Sequence, residues 1–517
     1  MSQTLFRFWM QRARSEKIAV ICTALVVLLC LFEFSRPIEQ ADDAFISYRY
    51  ALNLAHGTGL VFNPGEYVEG FTNLLWTVLI AGFIRLGVHA PAAGQLLSVV
   101  FAALSLALLH VYVRRFLPVR WAWMAAGAPV AMLAANSFAC WMSACLETPM
   151  VLFLTIAALL AFDRERKIAT AWLCVLALLC RPEGGILAVV LLGVPWIMAV
   201  LRGPRTPRDI LRLSAPPLIF VAALAALTAF RLYYYGDYVP NTFHAKVGQA
   251  ATGLGWLYIE KFLADGSLFL LPGIAFSVWA VPRLRVPLLF VLATAAYCVA
   301  VGGDVFSYGR FLLPTLPVLL AATIGSAAWL MARSLAAGWM LATAIPAFCI
   351  VSLYVVIPLP YGGMFAENLG LAARPFPLSA KRREAKRHYF TAQDERRVVR
   401  LLAAKIRAAK PGATLIACIG IGKIAYYNMD FRILDLVGLT DRHIAESQRS
   451  IPGTFVVPGH SRTDADYVLS RAPDVIIIPG KDALRPGRLP AETDLLSNPR
   501  LEQDYVYHPE GGFWVRK

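Results

Sequence analysis

The feature that most limits the fold of this 517-residue chain is a series of apolar runs between Ile18 and Ile357. The runs are about 17 to 25 residues long, which is enough for a helix to cross the hydrocarbon core of a bilayer. Only 16% of the residues are charged, whereas soluble domains have about a quarter. The pattern therefore predicts a mainly α, polytopic helical membrane protein, with its transmembrane domain at residues 1–357.

Twelve apolar segments stand out, and those at 149–162 and 168–180 are short. Basic residues gather in short connections such as Arg202–Arg212, which the positive-inside rule places in the cytoplasm. The membrane crossings can be counted forwards from a cytoplasmic amino terminus or backwards from a cytoplasmic Arg202–Arg212 connection. The two counts differ by one crossing, which falls within residues 72–120. We therefore expect an odd number of spans, about 11 or 13, with the carboxyl-terminal region outside. The first run is expected to be a retained span, because it lacks a small-residue cleavage site.

Composition excludes two classes of function. The formal net charge is +16, but the Lys and Arg residues are dispersed among membrane turns, whereas a nucleic-acid-binding domain gathers them on one face. The nine cysteines include no CxxC pair, which argues against a zinc or redox centre built on cysteine. We expect no nucleic-acid partner.

The composition changes after about Pro358. Residues 358–380 are predicted to be a linker, and the basic run Lys381–Arg387 is predicted to be a solvated face, with contact to anionic lipid headgroups as the alternative. An amphipathic stretch follows at Asp394–Ala409. Short helices and strands then alternate: strands at Thr414–Gly420, Phe431–Leu436 and Asp474–Pro479, and helices at Gly422–Tyr427 and Tyr467–Arg471. This alternation predicts a C-terminal extracytoplasmic α/β domain at residues 381–517.

Two adjacent carboxylates, Asp42 and Asp43, directly follow the first apolar run, in the first extracytoplasmic loop at residues 35–71. Ionisable groups beside a membrane helix are costly unless they have a function. Other polar residues fall in connections predicted to lie on the same outer side: Glu69, Asn73, Glu147, Arg181, Glu183, His244, Lys246, Asp304 and Arg310. A base for an acceptor hydroxyl, cations for an anionic leaving group and aromatic rings thus converge on one membrane face.

Six strings of this chain resemble a known family. They are DDAFISYRYALNLAHGTGLVFNPGEYVEGFTNLLW, CLETP, RPEG, YYGDYVPNTFHAK, GGDVFSYGRFLLP and DLVGLTDRHIA, in that order between residues 42 and 445. Together they resemble the GT-C glycosyltransferases, and among these the terminal β-arabinofuranosyltransferases of mycobacteria and their bacterial relatives. The resemblance implies transfer of arabinofuranose from a polyprenyl phosphate to an acceptor outside the cytoplasmic membrane. It also implies that Asp42 and Asp43 match the acidic pair of the family's first loop.

Chemical reasoning then assigns a role to each residue. Asp42 is predicted to accept the acceptor's proton or to stabilise an oxocarbenium-like sugar, and Asp43 to orient hydroxyls. Cations are predicted to bind the donor phosphate (Arg181, Lys246, Arg310 and His244), and other polar groups to bind substrate (Glu69, Asn73, Glu147, Glu183 and Asp304). The alternatives are structural: Asp42 and Asp43 cap the following helix, and Arg181 and Glu183 form an internal ion pair.

The sequence thus predicts a polyprenyl-phosphate-dependent glycosyltransferase in a bacterial cytoplasmic membrane, with its active site outside. The acceptor is an envelope glycan, a lipopolysaccharide or a protein. No cofactor is required, although a divalent cation suits the Asp42–Asp43 pair. Two alternatives remain: transfer of another sugar such as mannose or aminoarabinose, and a non-catalytic transporter of a lipid-linked sugar. Stereochemistry and metal dependence are left open.

Overall fold

The computed structural model describes residues 14–34, 40–203, 206–246, 252–304, 308–354, 392–447, 449, 451, 459–481 and 489–517. The predicted linker at 358–380 and the basic run Lys381–Arg387 lie outside these residues. The chain divides into two compact units. The first comprises Met1–Pro37, Gln95–Leu224 and Gly253–Tyr389, and the second Ile38–Gly94, Ala225–Thr252 and Phe390–Lys517.

Helices dominate the chain up to residue 354. They are α1 (Arg14–Phe34), α2 (Asp42–Ala55), α3 (Leu74–Arg85), α4 (Ala90–Arg114), α5 (Gly127–Ala134), α6 (Asn136–Ser143), α7 (Thr148–Asp163), α8 (Lys167–Cys180), α9 (Gly184–Leu201), α10 (Pro207–Tyr235), α11 (Asn241–Lys246), α12 (Thr252–Ala264), α13 (Leu271–Ala280), α14 (Arg285–Val301), α15 (Leu316–Met331), α16 (Leu335–Ala342) and α17 (Ala344–Tyr354). A mainly α, polytopic fold is confirmed.

The described helices differ in whether each is long enough to cross a membrane by itself. Among the described residues, seven helices are long and apolar enough to cross a membrane, or up to nine if each of two bent helix pairs is one span. Each of the twelve apolar segments does form a helix or a bent pair, but three of these helices are short: α3, α7 and α8 have 12, 16 and 14 residues. At 1.5 Å per residue they are about 18 to 24 Å long, less than the hydrocarbon thickness of about 30 Å.

The C-terminal part of the second unit is a five-stranded mixed sheet flanked by helices. Its elements are α18 (Ala392–Ala409), β1 (Leu415–Cys418), α19 (Gly422–Tyr427), β2 (Arg432–Asp435), α20 (Arg442–Glu446), α21 (Ala465–Ser470), β3 (Val475–Ile477), α22 (Pro490–Ser497), α23 (Pro499–Asp504), β4 (Tyr505–His508) and β5 (Phe513–Arg516). The strand order is β2-β1-β3-β5-β4. Strand β1 pairs in parallel with β2 and β3, whereas β5 is antiparallel to β3 and β4.

The first loop of the chain shares a hydrophobic core with this sheet. Ile46 and Tyr50 of α2, together with Phe62 and Phe71, are buried in one cluster with Ile416 of β1, Ile433 of β2 and Ile406 of α18. The other face of the sheet packs against α21 and α22. Helix α2 is therefore part of the layer that covers the sheet, and this packing fixes the position of Asp42 and Asp43 at its start.

Candidate functional site

Asp42 and Asp43 are the first two residues of α2, and both are half-buried. The two Asp42 carboxylate oxygens accept hydrogen bonds from the backbone N–H groups of Gly422, at 2.9 Å, and of Lys423, at 2.8 Å. Gly422 and Lys423 begin α19, so Asp42 satisfies N–H donors that have no partner within their own helix. The capping role of Asp42 is thus directed at a helix 380 residues away along the chain.

Arg49 of α2 also forms hydrogen bonds with the C-terminal segment that contains α19. Its side chain is fully buried, and it donates to the carbonyl oxygens of Phe62 (2.8 Å), Ala425 (2.7 Å) and Phe431 (2.7 Å). Burial lowers the Arg49 pKa to about 10. Ala425 belongs to α19, so Arg49 and Asp42, both on α2, each form hydrogen bonds with that helix.

Glu69 and Asn73 are buried in local polar networks. Glu69 forms a bidentate ion pair with Arg231, at 2.8 and 3.1 Å, and burial raises the Glu69 pKa above its usual value despite this partner. Asn73 exchanges hydrogen bonds with Ser47 and accepts one from Thr77. Both residues are 5% exposed or less, and these contacts position the loop between α2 and α3.

His244 and Lys246 lie on α11. The His244 Nε2 atom is 2.9 Å from the Asp237 carboxylate, and Lys246 is exposed. Asn241, at the start of α11, donates its side-chain amide to the carbonyl oxygens of Gly438 and Leu439, at 2.8 and 3.0 Å. Helix α11 is thereby fixed against the segment that follows β2.

The first unit brings five of the predicted residues into one cluster. Arg181 lies at the break between α8 and α9, where its guanidinium pairs with both oxygens of Glu183, at 3.0 and 2.9 Å, and with Glu147, at 2.5 Å. Burial alone would lower the Arg181 pKa and raise that of Glu183, but their mutual attraction outweighs burial. The Arg181 pKa is therefore above its usual value, and the Glu183 pKa falls to about 2. The predicted internal ion pair is present.

Asp304 and Arg310 form the second half of this cluster. Arg310 Nε is 2.7 Å from Asp304 Oδ2, as an ion pair without aligned hydrogen-bond geometry. The Arg310 guanidinium lies over the rings of Trp141 and Phe311, at 5.1 and 5.7 Å from their centroids. The Arg181 guanidinium lies 5.2 Å from the same Phe311 ring. The Phe311 ring thus contacts both arginines.

Two glycines next to this cluster allow aromatic side chains to approach the backbone closely. Gly303 and Gly309 have φ of +79° and +57°. A Cβ atom at Gly303 would lie 2.7 Å from Tyr258, and one at Gly309 would lie 2.6 Å from Phe262. A larger residue at either position is therefore excluded by conformation and by space.

Sequence reasoning missed the partners of the predicted acids. It did not identify Gly422, Lys423 and Arg49 as contacts of the Asp42 segment, or Arg231 as the partner of Glu69, or Asn241 as a buried anchor. The two arginines carried a signal, since Arg49 and Arg231 each lie in a stretch of apolar and aromatic residues, where an unpaired charge is costly if the stretch is buried. The backbone donors of α19 carried none, because every residue except proline has an N–H group.

Comparison with known proteins supports the resemblance found in the sequence. The chain is 30% identical over 343 residues to a terminal β-(1→2)-arabinofuranosyltransferase of Corynebacterium glutamicum, covering 55% of this chain and 47% of the relative. It is 28% identical over 377 residues to the terminal β-(1→2)-arabinofuranosyltransferase of Mycobacterium tuberculosis, covering 64% of this chain and 54% of the relative. Residues 385–514 match a family described as a domain of unknown function, DUF8728. The chain spans about half the length of the curated relatives it matches.

Proposed function

We propose that this chain is a membrane glycosyltransferase that moves a sugar, arabinofuranose, from a polyprenyl-phosphate donor to an acceptor outside a bacterial cytoplasmic membrane. The observation that carries the proposal is its similarity, over more than half of its length, to two arabinofuranosyltransferases. The acceptor is an envelope glycan, a lipopolysaccharide or a protein. The C-terminal α/β domain is proposed to lie on the same outer side of the membrane.

In this proposal the Asp42–Asp43 pair is the acidic centre of the reaction. Two backbone N–H groups orient the Asp42 carboxylate, and each of its oxygens has a second lone pair that can accept a substrate hydroxyl. Asp42 takes the proton from the acceptor hydroxyl as the glycosidic bond to the lipid phosphate breaks. Asp43 orients the sugar hydroxyls. Pre-oriented groups of this kind contribute to catalysis because they need no reorganisation during the reaction.

The Arg181–Arg310 cluster is proposed to bind the anionic part of the donor. A departing lipid phosphate gains negative charge, which guanidinium groups stabilise well in a partly buried setting. Glu147, Glu183 and Asp304 hold the two guanidinium groups in fixed orientations. Lys246 is proposed as an additional cationic group for the phosphate, whereas His244 faces the Asp237 carboxylate.

The test is substitution of each aspartate by asparagine in a strain that lacks the native gene. Asp43→Asn and Asp42→Asn are each expected to abolish addition of a terminal pentose to the envelope glycan, measured by mass analysis, while donor binding persists. Asp430→Asn is the matched control, since the Asp430 side chain is 62% exposed and pairs with Arg407 on the surface. Normal glycan in the Asp43→Asn strain, with the variant present at the wild-type level, would refute the proposed role of the pair.

The same mass analysis identifies the sugar. Loss of a terminal pentose from the deletion strain supports arabinofuranose. Loss of a hexose or an aminopentose would instead assign mannose or aminoarabinose as the transferred sugar. An intact glycan together with accumulation of a lipid-linked sugar on one side of the membrane would favour a transporter.

A further inference from the structure

Three side chains of the second unit that bind metals in many proteins lie close together. One ligand atom from each of Asp237, His244 and Glu446 lies within 4.8 Å of the others, and among the described residues no further group of three such side chains meets this condition. Asp237 follows α10, His244 lies on α11, and Glu446 ends α20. Glu446 is exposed, whereas Asp237 and His244 are half-buried, so the cluster opens to solvent on one side.

The backbone that carries these side chains is held firmly. Asn241, three residues before His244, is 4% exposed and donates to the carbonyl oxygens of Gly438 and Leu439 just before α20. Gly438 has a φ of +82°, and a Cβ atom there would lie 2.6 Å from the backbone nitrogen of Ala445. Helices α11 and α20 therefore pack closely, and the spacing between His244 and Glu446 is set by backbone contacts.

Two buried oxygens on α11 accept no hydrogen bond within the part of the chain that the structure describes. They are Asn241 Oδ1 and Thr242 Oγ1, on residues that are 4% and 6% exposed. A buried polar atom without a partner is uncommon in native proteins, and an ion or a water molecule is one explanation for it. Both atoms lie on the helix that carries His244.

We propose that Asp237, His244 and Glu446 form a site for one divalent transition-metal ion, with zinc as the best match. A tetrahedral ion with nitrogen and oxygen ligands at about 2.0 to 2.2 Å holds those atoms roughly 3.3 to 3.6 Å apart. The three side chains, whose ligand atoms lie within 4.8 Å of one another, reach this spacing by small rotations. One imidazole with two carboxylates suits zinc or manganese, whereas magnesium and calcium favour all-oxygen sites. Three protein ligands leave a fourth position for water.

Metal binding at this site has a defined proton balance. His244 Nε2 faces the Asp237 carboxylate at 2.9 Å, so the proton between them leaves when Nε2 donates its lone pair to the ion. The two carboxylates and the neutral imidazole carry a charge of −2, which the divalent cation neutralises. The site does not depend on the glycosyl transfer proposed above.

The experiment uses the full-length chain, purified in detergent and stripped with a chelator. Zinc is then added back and the excess is removed by dialysis. The zinc that remains is measured by mass spectrometry, and zinc affinity is measured by competition with a chromophoric chelator. The wild-type protein is expected to retain one equivalent of zinc and to bind magnesium far more weakly. His244→Ala and Glu446→Gln are each expected to weaken zinc binding by at least about 100-fold, since each removes a direct ligand.

His443→Ala is the matched control. His443 lies on α20 near Glu446, but it pairs with Asp464 at 2.8 Å and stacks on Tyr467, so its loss should leave zinc binding unchanged. Glu446→Gln alters an exposed side chain and is expected to fold normally. Wild-type zinc affinity in both His244→Ala and Glu446→Gln, or no zinc retained by the wild-type protein, would overturn the proposal. Neither result depends on transferase activity.

Discussion

Gly422→Ala tests how the structure positions Asp42 without altering either carboxylate. Gly422 is the first residue of α19, and its N–H group donates to Asp42. A Cβ atom at this position would collide with the Asp42 backbone carbonyl and would lie 2.9 Å from Asp42 Oδ2. Because backbone atoms cannot rotate away as a flexible side chain can, α2 and α19 would have to separate.

The expected loss of stability follows from opposing terms. Alanine is favoured over glycine in a helix by about 0.5 to 1 kcal/mol, so a position with open space would gain stability. Overpacking costs about 1 to 3 kcal/mol, and each hydrogen bond to the Asp42 carboxylate contributes about 1.5 to 3 kcal/mol. We expect Gly422→Ala to lower the free energy of unfolding by about 2 to 5 kcal/mol. A displacement of Asp42 by about 1 Å would lower transfer activity by about 100-fold.

Gly420→Ala is the matched control, because the nearest atom to a Cβ at Gly420 is Asp42 Oδ2, at 3.9 Å. The assays are thermal unfolding of the full-length protein in detergent and glycosyl transfer at a temperature where both variants are folded. Gly420→Ala should behave as the wild-type protein in both assays. If Gly422→Ala matches Gly420→Ala in stability and in activity, the contact between Asp42 and α19 does not position the acidic pair.

Two further predictions concern buried charges. Arg49→Lys keeps the charge but lacks the planar guanidinium that donates to the Phe62, Ala425 and Phe431 carbonyls. It should therefore lower the free energy of unfolding by about 3 kcal/mol or more, measured by thermal unfolding. Arg400→Lys, at an exposed position, is the control, and equal stability of the two variants would contradict this prediction. Glu183 has a pKa lowered from 4.5 to about 2, so its contribution, about 3 kcal/mol, is present above pH 4.5 and lost as the pH falls towards 2. Glu183→Gln should lack that contribution above pH 4.5, and its free energy of unfolding should change little because of this site between pH 4.5 and 2. If the free energies of unfolding of Glu183→Gln and the wild-type protein fall in parallel as the pH is lowered, the assignment is refuted.

The elements of the chain were largely predictable, because they depend on local pattern. The amphipathic stretch at 394–409, three strands and both short helices of the C-terminal sheet lie where the alternation of apolar and polar residues placed them. Strands β4 and β5 were missed, although the Pro509–Gly512 turn between two aromatic runs is a hairpin signal. The number of spans stays a prediction: among the described residues seven helices, or up to nine with the two bent pairs, are long and apolar enough to cross a membrane, and α3, α7 and α8 are shorter apolar helices.

Partners of the candidate site residues were predictable only in part. Arg181 and Glu183 are two residues apart, and their pairing follows from sequence proximity. Glu147 lies 34 residues from Arg181, and its contact requires α7 and α8 to pack side by side. The contact of Arg181 with the Phe311 ring, which Arg310 also contacts, likewise depends on two separate segments of the chain: the break that contains Arg181 and the loop that contains Arg310 and Phe311.

The sequence by itself determined that this chain is a mainly α membrane protein with an acidic pair after its first apolar run, because length, hydropathy and residue type are local properties. Tertiary structure alone decided what holds Asp42, the first residue of that pair. The N–H groups that bind Asp42 belong to Gly422 and Lys423, 380 and 381 residues away, and nothing in their side chains distinguishes them as donors. Their role arises because the start of α19 presents N–H groups without helical partners and the shared core of α2 and the sheet brings a carboxylate to them.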